Sequence, residues 1–115
     1  MMDPVVLKAK ELADVIAADP RTAALRDARA ALAKDPEAAS LQERYHRAVE
    51  QIADLEASHK PVEPPLKREV ATLGEQVRHS RVLQALLKAH ADFTDLMDSV
   101  SHTIGDAMDS AIGSE

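Results

Sequence analysis

Apolar side chains recur at alternating steps of three and four residues along most of the chain. The clearest run places six of them on one face: Ala38, Leu41, Tyr45, Ala48, Ile52 and Leu55. This period is typical of amphipathic helices, whereas strands alternate at every second residue. The breaks in the pattern predict an all-α bundle of five helices in a single domain, 1–115. We expect the helices at about residues 4–18, 20–33, 36–58, 64–78 and 81–111.

Three of these predicted helices follow an Asp-Pro dipeptide, which starts at positions 3, 19 and 35. Asp is a favoured N-cap residue, and Pro fits the first helical position because its missing N–H would have no partner there. A residue before Pro also avoids the helical conformation, which ends a preceding helix. The segments after the three dipeptides do not otherwise align, so the dipeptide predicts helix boundaries rather than a repeat.

A proline-rich turn at 59–65 and Ser80 set the remaining boundaries. The stretch HKPVEPPLK has three prolines within five residues, which excludes a continuous helix. The apolar stripe changes phase at Ser80, a residue suited to an N-cap. The fourth predicted helix therefore ends just before Ser80, and the fifth begins just after it.

The fifth predicted helix carries a coiled-coil-like row, which we call the seam. At ~1.5 Å per residue this helix is roughly 46 Å long, and no other helix is long enough to cover it. An uncovered apolar strip is rare in monomers, so we expect self-association as a homo-oligomer, with a dimer as the simplest form. The predicted oligomer interface comprises Leu83, Leu86, His90, Phe93, Met97, Val100 and Ile104.

His90 is the polar member of the seam. A buried His can act as a ligand or a pH switch, whereas a polar seam residue fixes register or oligomer state. The seam position favours a role in register, or partial exposure to solvent, over a ligand or switch, and it leaves open whether His90 is buried.

The amino-acid composition argues against several classes of function. The chain has no Cys or Trp and only one Tyr and one Phe, so thiolate metal sites and base-stacking surfaces are absent, and we expect no direct nucleic-acid binding. No apolar run reaches the ~18 residues of a membrane span, and the N-terminus has no signal-peptide core. These features predict a cytoplasmic protein without membrane contact.

The net charge of −6 falls entirely on residues 92–115, which contain no Lys or Arg. Four of the acids recur on the polar side of the last predicted helix: Asp95, Asp98, Asp106 and Asp109. Acids at a helix C-terminus oppose the helix dipole, so helix stability alone does not account for them. Either they provide solubility, or they dock the chain onto a basic partner surface.

Two Glu-x-x-His pairs, Glu43/His46 and Glu56/His59, have the spacing found in di-iron bundles. That site requires the two pairs on different helices with two further carboxylates, whereas both pairs here lie on the third predicted helix. A metal-binding bundle is therefore the alternative to a non-enzymatic protein. No glycine-rich phosphate loop or nucleophile elbow is present, and we expect no cofactor.

The chain resembles the YlbF/YmcA family of small all-helical bacterial regulators over about residues 5–112. The resemblance rests on LKAKELADVIA, DPEAASLQERY, Lys60-Pro61 and SRVLQALLKAHADFTDLM followed by Ile104. It implies a self-associating adaptor that works with other regulatory proteins. Family members are associated with competence, sporulation, biofilm formation and RNA processing through an endoribonuclease, and the family offers no catalytic residues. Where the family often has Gly after the third helix, this chain has His59, and it lacks the cysteines of cluster-bearing complexes.

Overall fold

The protein is described by a computed structural model that covers residues 2–113, and all secondary structure in that range is helical. Five helices follow one another, which confirms the predicted fold class. Each begins at the residue expected from the sequence, and the last three end within one residue of the expected position. The helices are α1 (Pro4–Ala18), α2 (Pro20–Ala33), α3 (Pro36–Ala57), α4 (Pro64–His79) and α5 (Arg81–Ile112).

The three Asp-Pro dipeptides act as helix starts. The carboxylate of Asp3 accepts the Val5 N–H at 2.8 Å, and that of Asp35 accepts the Ala38 N–H at 3.0 Å. Each bond satisfies one of the backbone donors that a first helical turn leaves unpaired. Ser80 opens α5 in the same way, because its Oγ accepts the Leu83 N–H at 3.2 Å.

Asp19 joins α1 to α2. Its own N–H donates to the Ile16 carbonyl at 3.1 Å and closes the last turn of α1. Its Oδ1 accepts the Arg21 N–H at 2.8 Å and caps the first turn of α2. Further along α2, Arg26 donates to the carbonyl of Ala17 at 3.2 Å. A single Asp-Pro dipeptide thus ends one helix and starts the next.

The C-terminus of α3 is closed by His59, which has a left-handed backbone with φ of 56°. The His59 N–H donates to the Glu56 carbonyl at 3.1 Å, and the Lys60 N–H donates to the Leu55 carbonyl at 2.8 Å. This pair of bonds is the Schellman motif, whose left-handed position usually holds Gly. His59 therefore occupies the turn position for which the family resemblance indicates Gly.

The chain divides into two compact units. One unit comprises 28–87, in which α3 packs against α4. Its hydrophobic core is formed by Ala38, Leu41, Ala48, Leu73 and Leu83. Partly buried apolar side chains surround this core, among them Tyr45, Val70 and Val77. This unit, which we call the core unit, has the hydrophobic interior that stabilises a small helical domain.

The other unit comprises 2–27 and 88–113 within the described chain, and we call it the hairpin unit. It contains α1, the start of α2 and the larger part of α5. Only two of its side chains are buried, Leu25 and Ala89. No residue of α1 is buried. The hairpin unit therefore lacks an apolar interior of the kind seen in the core unit.

None of the helices across residues 2–113 combines the length and the apolar character needed to cross a membrane.

Candidate functional site

The first helix presents apolar side chains to solvent. Val5 and Val15 are 76% and 69% exposed, and Leu12 is also exposed. The steps from Val5 to Lys8, Leu12 and Val15 are three, four and three residues, so these four positions share one side of α1. Lys8 is the charged member of this row, and its Nζ lies 3.0 Å from Glu11 Oε2 on the same helix.

The end of α5 presents a second set of apolar side chains. Every described residue after Val100 is exposed, including Ile104, Met108 and Ile112. These three side chains recur every four residues and therefore follow one side of the helix. Together with α1 they form what we call the α1/α5 apolar surface: Met2, Val5, Val6, Leu7, Leu12, Val15, Ile104, Met108 and Ile112.

A shallow depression of about 250 Å³ lies within this surface. Leu12 of α1 lines it together with Val100 and Ile104 of α5, and Ser99 and Thr103 complete the lining. The surface accounts for nine of the eleven large hydrophobic side chains that are exposed in residues 2–113. The other two, Val49 and Leu87, lie in the core unit. Exposed apolar area is thus concentrated on the hairpin unit, as at protein–protein interaction sites.

The seven predicted seam residues differ in environment. Leu83 is only 3% exposed and belongs to the interior of the core unit, so its side chain is not free for a second copy. Ile104 is 51% exposed. The half-buried members are Leu86, Phe93, Met97 and Val100.

His90 is exposed, and the buried residue at this point of α5 is its neighbour Ala89. At this one point the covered position is residue 89 rather than 90, whereas the other seam positions from 83 to 100 are buried or half-buried. His90 remains available to a partner, and whether it sets register in an oligomer stays a prediction.

The exposed apolar residues of α1 and Met108 and Ile112 of α5 were not included in the predicted interface. The sequence does indicate the exposed apolar residues of α1, because Val5, Val6 and Leu7 are three consecutive apolar residues. Three consecutive residues of a helix point in three directions, so one neighbouring helix cannot cover them all.

The four acidic residues of the last helix, Asp95, Asp98, Asp106 and Asp109, are all exposed. Asp106 has a helical neighbour in His102, with 3.2 Å between Oδ2 and Nε2. Lys88 pairs with Asp92 at 2.9 Å, and no Lys or Arg follows Lys88 in the sequence. The polar side of α5 beyond residue 92 is therefore lined by carboxylates without a Lys or Arg on the same helix segment.

The Glu-x-x-His pairs do not converge. Glu43 accepts a hydrogen bond from Arg47, and His46 Nε2 lies 3.1 Å from Glu50 Oε1. Glu43, His46 and Glu56 are exposed on α3, and His59 is exposed in the turn beyond it. Among residues 2–113, no group of three or more His, Asp or Glu side chains is arranged to hold a metal ion.

A larger cleft of about 570 Å³ lies in the core unit, between the start of α3 and the end of α4. Apolar Ala38 and Leu41 form part of its lining. Its polar lining is supplied by Asp35, Glu37, Arg44, Glu75, Gln76, His79 and Ser80. Glu75 is already paired with Arg78 and with His79. None of the residues proposed from the sequence as a binding site lines this cleft.

Comparison with known proteins identifies the fold and the family. One similar solved structure is that of Bacillus subtilis RicA in complex with RicF, at a TM-score of 0.74 and 20% sequence identity. The match covers 96% of this chain and 99% of that chain. None of the curated proteins matches. Residues 5–109 match the family described as "Control of competence regulator ComK, YlbF/YmcA". The chain therefore belongs to the YlbF/YmcA family.

Proposed function

We propose that this protein is a non-enzymatic adaptor that acts by binding other copies of itself and other regulatory proteins. The observation that carries the proposal is the α1/α5 apolar surface. Monomeric proteins rarely expose so many large apolar side chains on two helices that line one depression, because their burial against a partner is favourable. Membership of a family of regulators supports the same conclusion.

Self-association through α5 is the first part of the proposal. Met97, Val100 and Ile104 lie on the side of the helix that continues into the α1/α5 apolar surface, and all three retain exposed area. A dimer would cover this strip in both copies through one self-complementary contact. Leu83 takes no part, because its own unit already buries it.

Docking of a different regulatory protein is the second part. The related fold of RicA occurs in a complex with another protein, RicF, which supports a similar mode of action for this chain. The exposed acids at the end of α5 would meet a basic surface of such a partner and mainly accelerate encounter. If they serve only solubility, their removal leaves partner binding unchanged.

The regulatory setting follows from the family. We propose that the chain works in the cytoplasm, within a complex that influences RNA processing or developmental regulation. It would act through its partners rather than by binding nucleic acid, since the exposed end of α5 is acidic and therefore repels phosphate groups. No cofactor is part of this proposal.

Light scattering on the purified chain at micromolar concentration tests the first part. We expect a mass of about twice the 12.5 kDa of one chain, and a monomer would overturn self-association. For the second part, Asp95, Asp98, Asp106 and Asp109 are changed together to Asn. Binding to the partner should weaken strongly at low salt and little at high salt, with helicity retained.

Metal analysis of protein purified without a His tag tests the non-enzymatic assignment against a metal-binding bundle. The adaptor proposal expects no stoichiometric iron or manganese. A stoichiometric metal that is lost in His46→Ala or His59→Ala would overturn it.

A further inference from the structure

The cleft between the start of α3 and the end of α4 carries charges of opposite sign at two points along α3. Its volume of about 570 Å³ lies within the range of about 300–1,000 Å³ that is usual for binding clefts. Asp35 and Glu37 line it at the start of α3, and Arg44 lines it further along the same helix. The cleft therefore has an acidic end and a basic end.

Glu37, Leu41 and Arg44 share one side of α3. The step from Glu37 to Arg44 is close to two helical turns, or about 10 Å along the helix axis. Leu41 lies between them and is buried, so the middle of the cleft has an apolar floor, to which Ala38 also contributes. The order of side chains along this wall is therefore acid, apolar residue, base.

α3 itself does not neutralise these two charges. Within residues 2–113, the ion pairs between side chains of α3 join Arg47 to Glu43 and His46 to Glu50. The positions three and four residues from Arg44 hold no acid. Lys34 and Arg81, which adjoin lining residues in the sequence, do not themselves line the cleft. Glu37 and Arg44 thus keep their charges within α3.

The opposite wall of the cleft does not neutralise them either. Its acid, Glu75, is paired with Arg78 and His79 of the same helix, with 2.9 Å between Glu75 Oε1 and His79 Nε2. The other polar residues of this wall, Gln76 and Ser80, are uncharged. Both ends of the cleft are therefore available to charged groups of another molecule.

We propose that the cleft receives a helix of a partner protein that carries an acid, an apolar residue and a base within two turns. The inference rests on the proposed action through regulatory proteins and adds a docking site on the core unit. The acid faces Arg44, the apolar residue faces Leu41, and the base faces Glu37. Ridges of side chains on the partner helix fit the groove between two packed helices, a common mode of helix recognition.

The helix dipole decides the direction of the partner helix. Acids are favourable near the N-terminus of a helix, and bases are favourable near its C-terminus. A partner helix antiparallel to α3 meets Arg44 with its earlier residues and Glu37 with its later ones, so its acid precedes its base. The antiparallel direction therefore suits the charges of the cleft and the dipole of the partner helix together.

A synthetic peptide of this pattern is the probe for the site. It is an alanine-rich helix without net charge, in which Glu, Leu and, two turns after the Glu, Arg lie on one face. NMR titration of the isotope-labelled full chain should shift the amide signals of the cleft. A spin label at the peptide N-terminus should broaden signals around Arg44 more than those around Glu37. The opposite pattern of broadening would overturn the antiparallel direction.

Charge reversal at each end of the cleft tests the recognition. Glu37→Lys and Arg44→Glu each replace one attraction by a repulsion, and we expect the peptide dissociation constant to rise about fivefold at low salt. This rise should be smaller at high salt. The double variant Glu37→Lys, Arg44→Glu restores two opposite charges for a peptide bound in the reverse direction, and we expect it to recover most of the affinity.

Glu43→Lys and Arg47→Glu are the matched controls. They make the same changes of charge on the same exposed helix but do not line the cleft, so the peptide affinity should stay at the wild-type value. Circular dichroism checks folding, since Glu37→Lys places a base in the first turn of α3. Arg44→Glu lies in the middle of the helix and gives the same test without that cost.

Three outcomes overturn the inference. The cleft signals do not shift at millimolar peptide, or the cleft variants weaken binding no more than the controls, or phosphate alone produces the same shifts as the peptide. The last result would show that the cleft takes a small anion instead of a helix. Each of these is separate from a failure of the proposed self-association, because light scattering on the unmodified chain measures the dimer without any peptide.

Discussion

The guanidinium group of Arg21 binds both carboxylate oxygens of Asp19, two residues before it. Arg21 Nε lies 2.9 Å from Oδ1 and Nη2 lies 2.9 Å from Oδ2, while the Arg21 backbone N–H also donates to Oδ1. These hydrogen bonds, the side-chain bond first, favour the charged carboxylate and lower the pKa of Asp19 from 3.8 to about 2. The N-cap of α2 is thus a charge-assisted contact at the joint between α1 and α2.

The stability contributed by this contact depends on pH with a defined sign. A carboxylate with a lowered pKa in the folded state contributes stability that is complete above its unfolded pKa, near 3.8. That contribution is lost as the pH falls through about 2. We expect Arg21→Ala to lower the thermal midpoint at pH 7 and to differ progressively less from wild type between pH 4 and pH 2.

NMR titration of the Asp19 carboxyl carbon measures the lowered pKa directly. The Asp19 midpoint should lie at about 2 in the wild type and move toward 3.8 in Arg21→Ala. Lys8→Ala is the matched control, because it removes another cation that pairs with a nearby acid of the hairpin unit. An Asp19 midpoint that is the same in wild type and Arg21→Ala would contradict the assignment.

Tyr45 of α3 lies against Gly74 of α4, and this contact sets how large residue 74 can be. A Cβ atom at Gly74 would lie 3.4 Å from Tyr45 Cε1, which is ordinary van der Waals contact. Gly within a helix is destabilising by about 0.5–1 kcal/mol relative to Ala. We therefore expect Gly74→Ala to raise the free energy of unfolding by up to about 1 kcal/mol in urea titration.

Gly105 provides the comparison, because a Cβ there meets no atom within 4 Å. Gly105→Ala should raise the free energy of unfolding through helix propensity alone, because the new Cβ contacts no other side chain. Gly74→Leu, in contrast, extends into the Tyr45 ring and should destabilise by about 1–3 kcal/mol. Equal effects of Leu at positions 74 and 105 would show that Tyr45 does not limit the size of the side chain.

His59 is a site where substitution by glycine should stabilise the protein. A non-glycine residue in the left-handed conformation costs roughly 1–2 kcal/mol, and the greater freedom of Gly in the unfolded chain offsets part of the gain. We expect His59→Gly to raise the free energy of unfolding by about 0.5–1 kcal/mol. His46→Gly, in the regular part of α3, should lower it by a similar amount. A destabilised His59→Gly variant would mean that the imidazole makes a contact that outweighs backbone strain.

Capping hydrogen bonds between residues close in sequence made the starts of the helices predictable. Asp3, Asp19 and Asp35 act through bonds to N–H groups two or three residues away, and Ser80 acts similarly. Such interactions depend on neighbouring residues alone, so the sequence contains all the information needed to place them.

The interface was less predictable, because periodicity shows that a helix face is apolar but not which element covers it. Leu83 and Ile104 occupy equivalent positions in the predicted seam, yet one is buried in the core unit and the other is exposed. The cleft between the start of α3 and the end of α4 likewise depends on how distant segments pack. Its lining residues are separated by more than thirty positions, and no local pattern connects them.

The last prediction separates the α1/α5 apolar surface from exposed hydrophobic area in general. Ile104 and Leu87 lie on the same helix and are similarly exposed, at 51% and 56%. If the proposed dimer covers Ile104, Ile104→Ser removes about 1 kcal/mol of burial in each copy and weakens dimerisation roughly 30-fold. Leu87→Ser lies in the core unit and should leave the dimer unchanged.

Sedimentation equilibrium on the two Ser variants gives both dissociation constants under one condition. Because both side chains are about half exposed, the two substitutions should alter monomer stability to a similar, small extent, and thermal unfolding verifies this. A difference between the dissociation constants then arises from the interface rather than from the fold. Equal weakening by both variants would show that association follows exposed apolar area anywhere on α5, and the α1/α5 apolar surface would lose its role as the dimer contact.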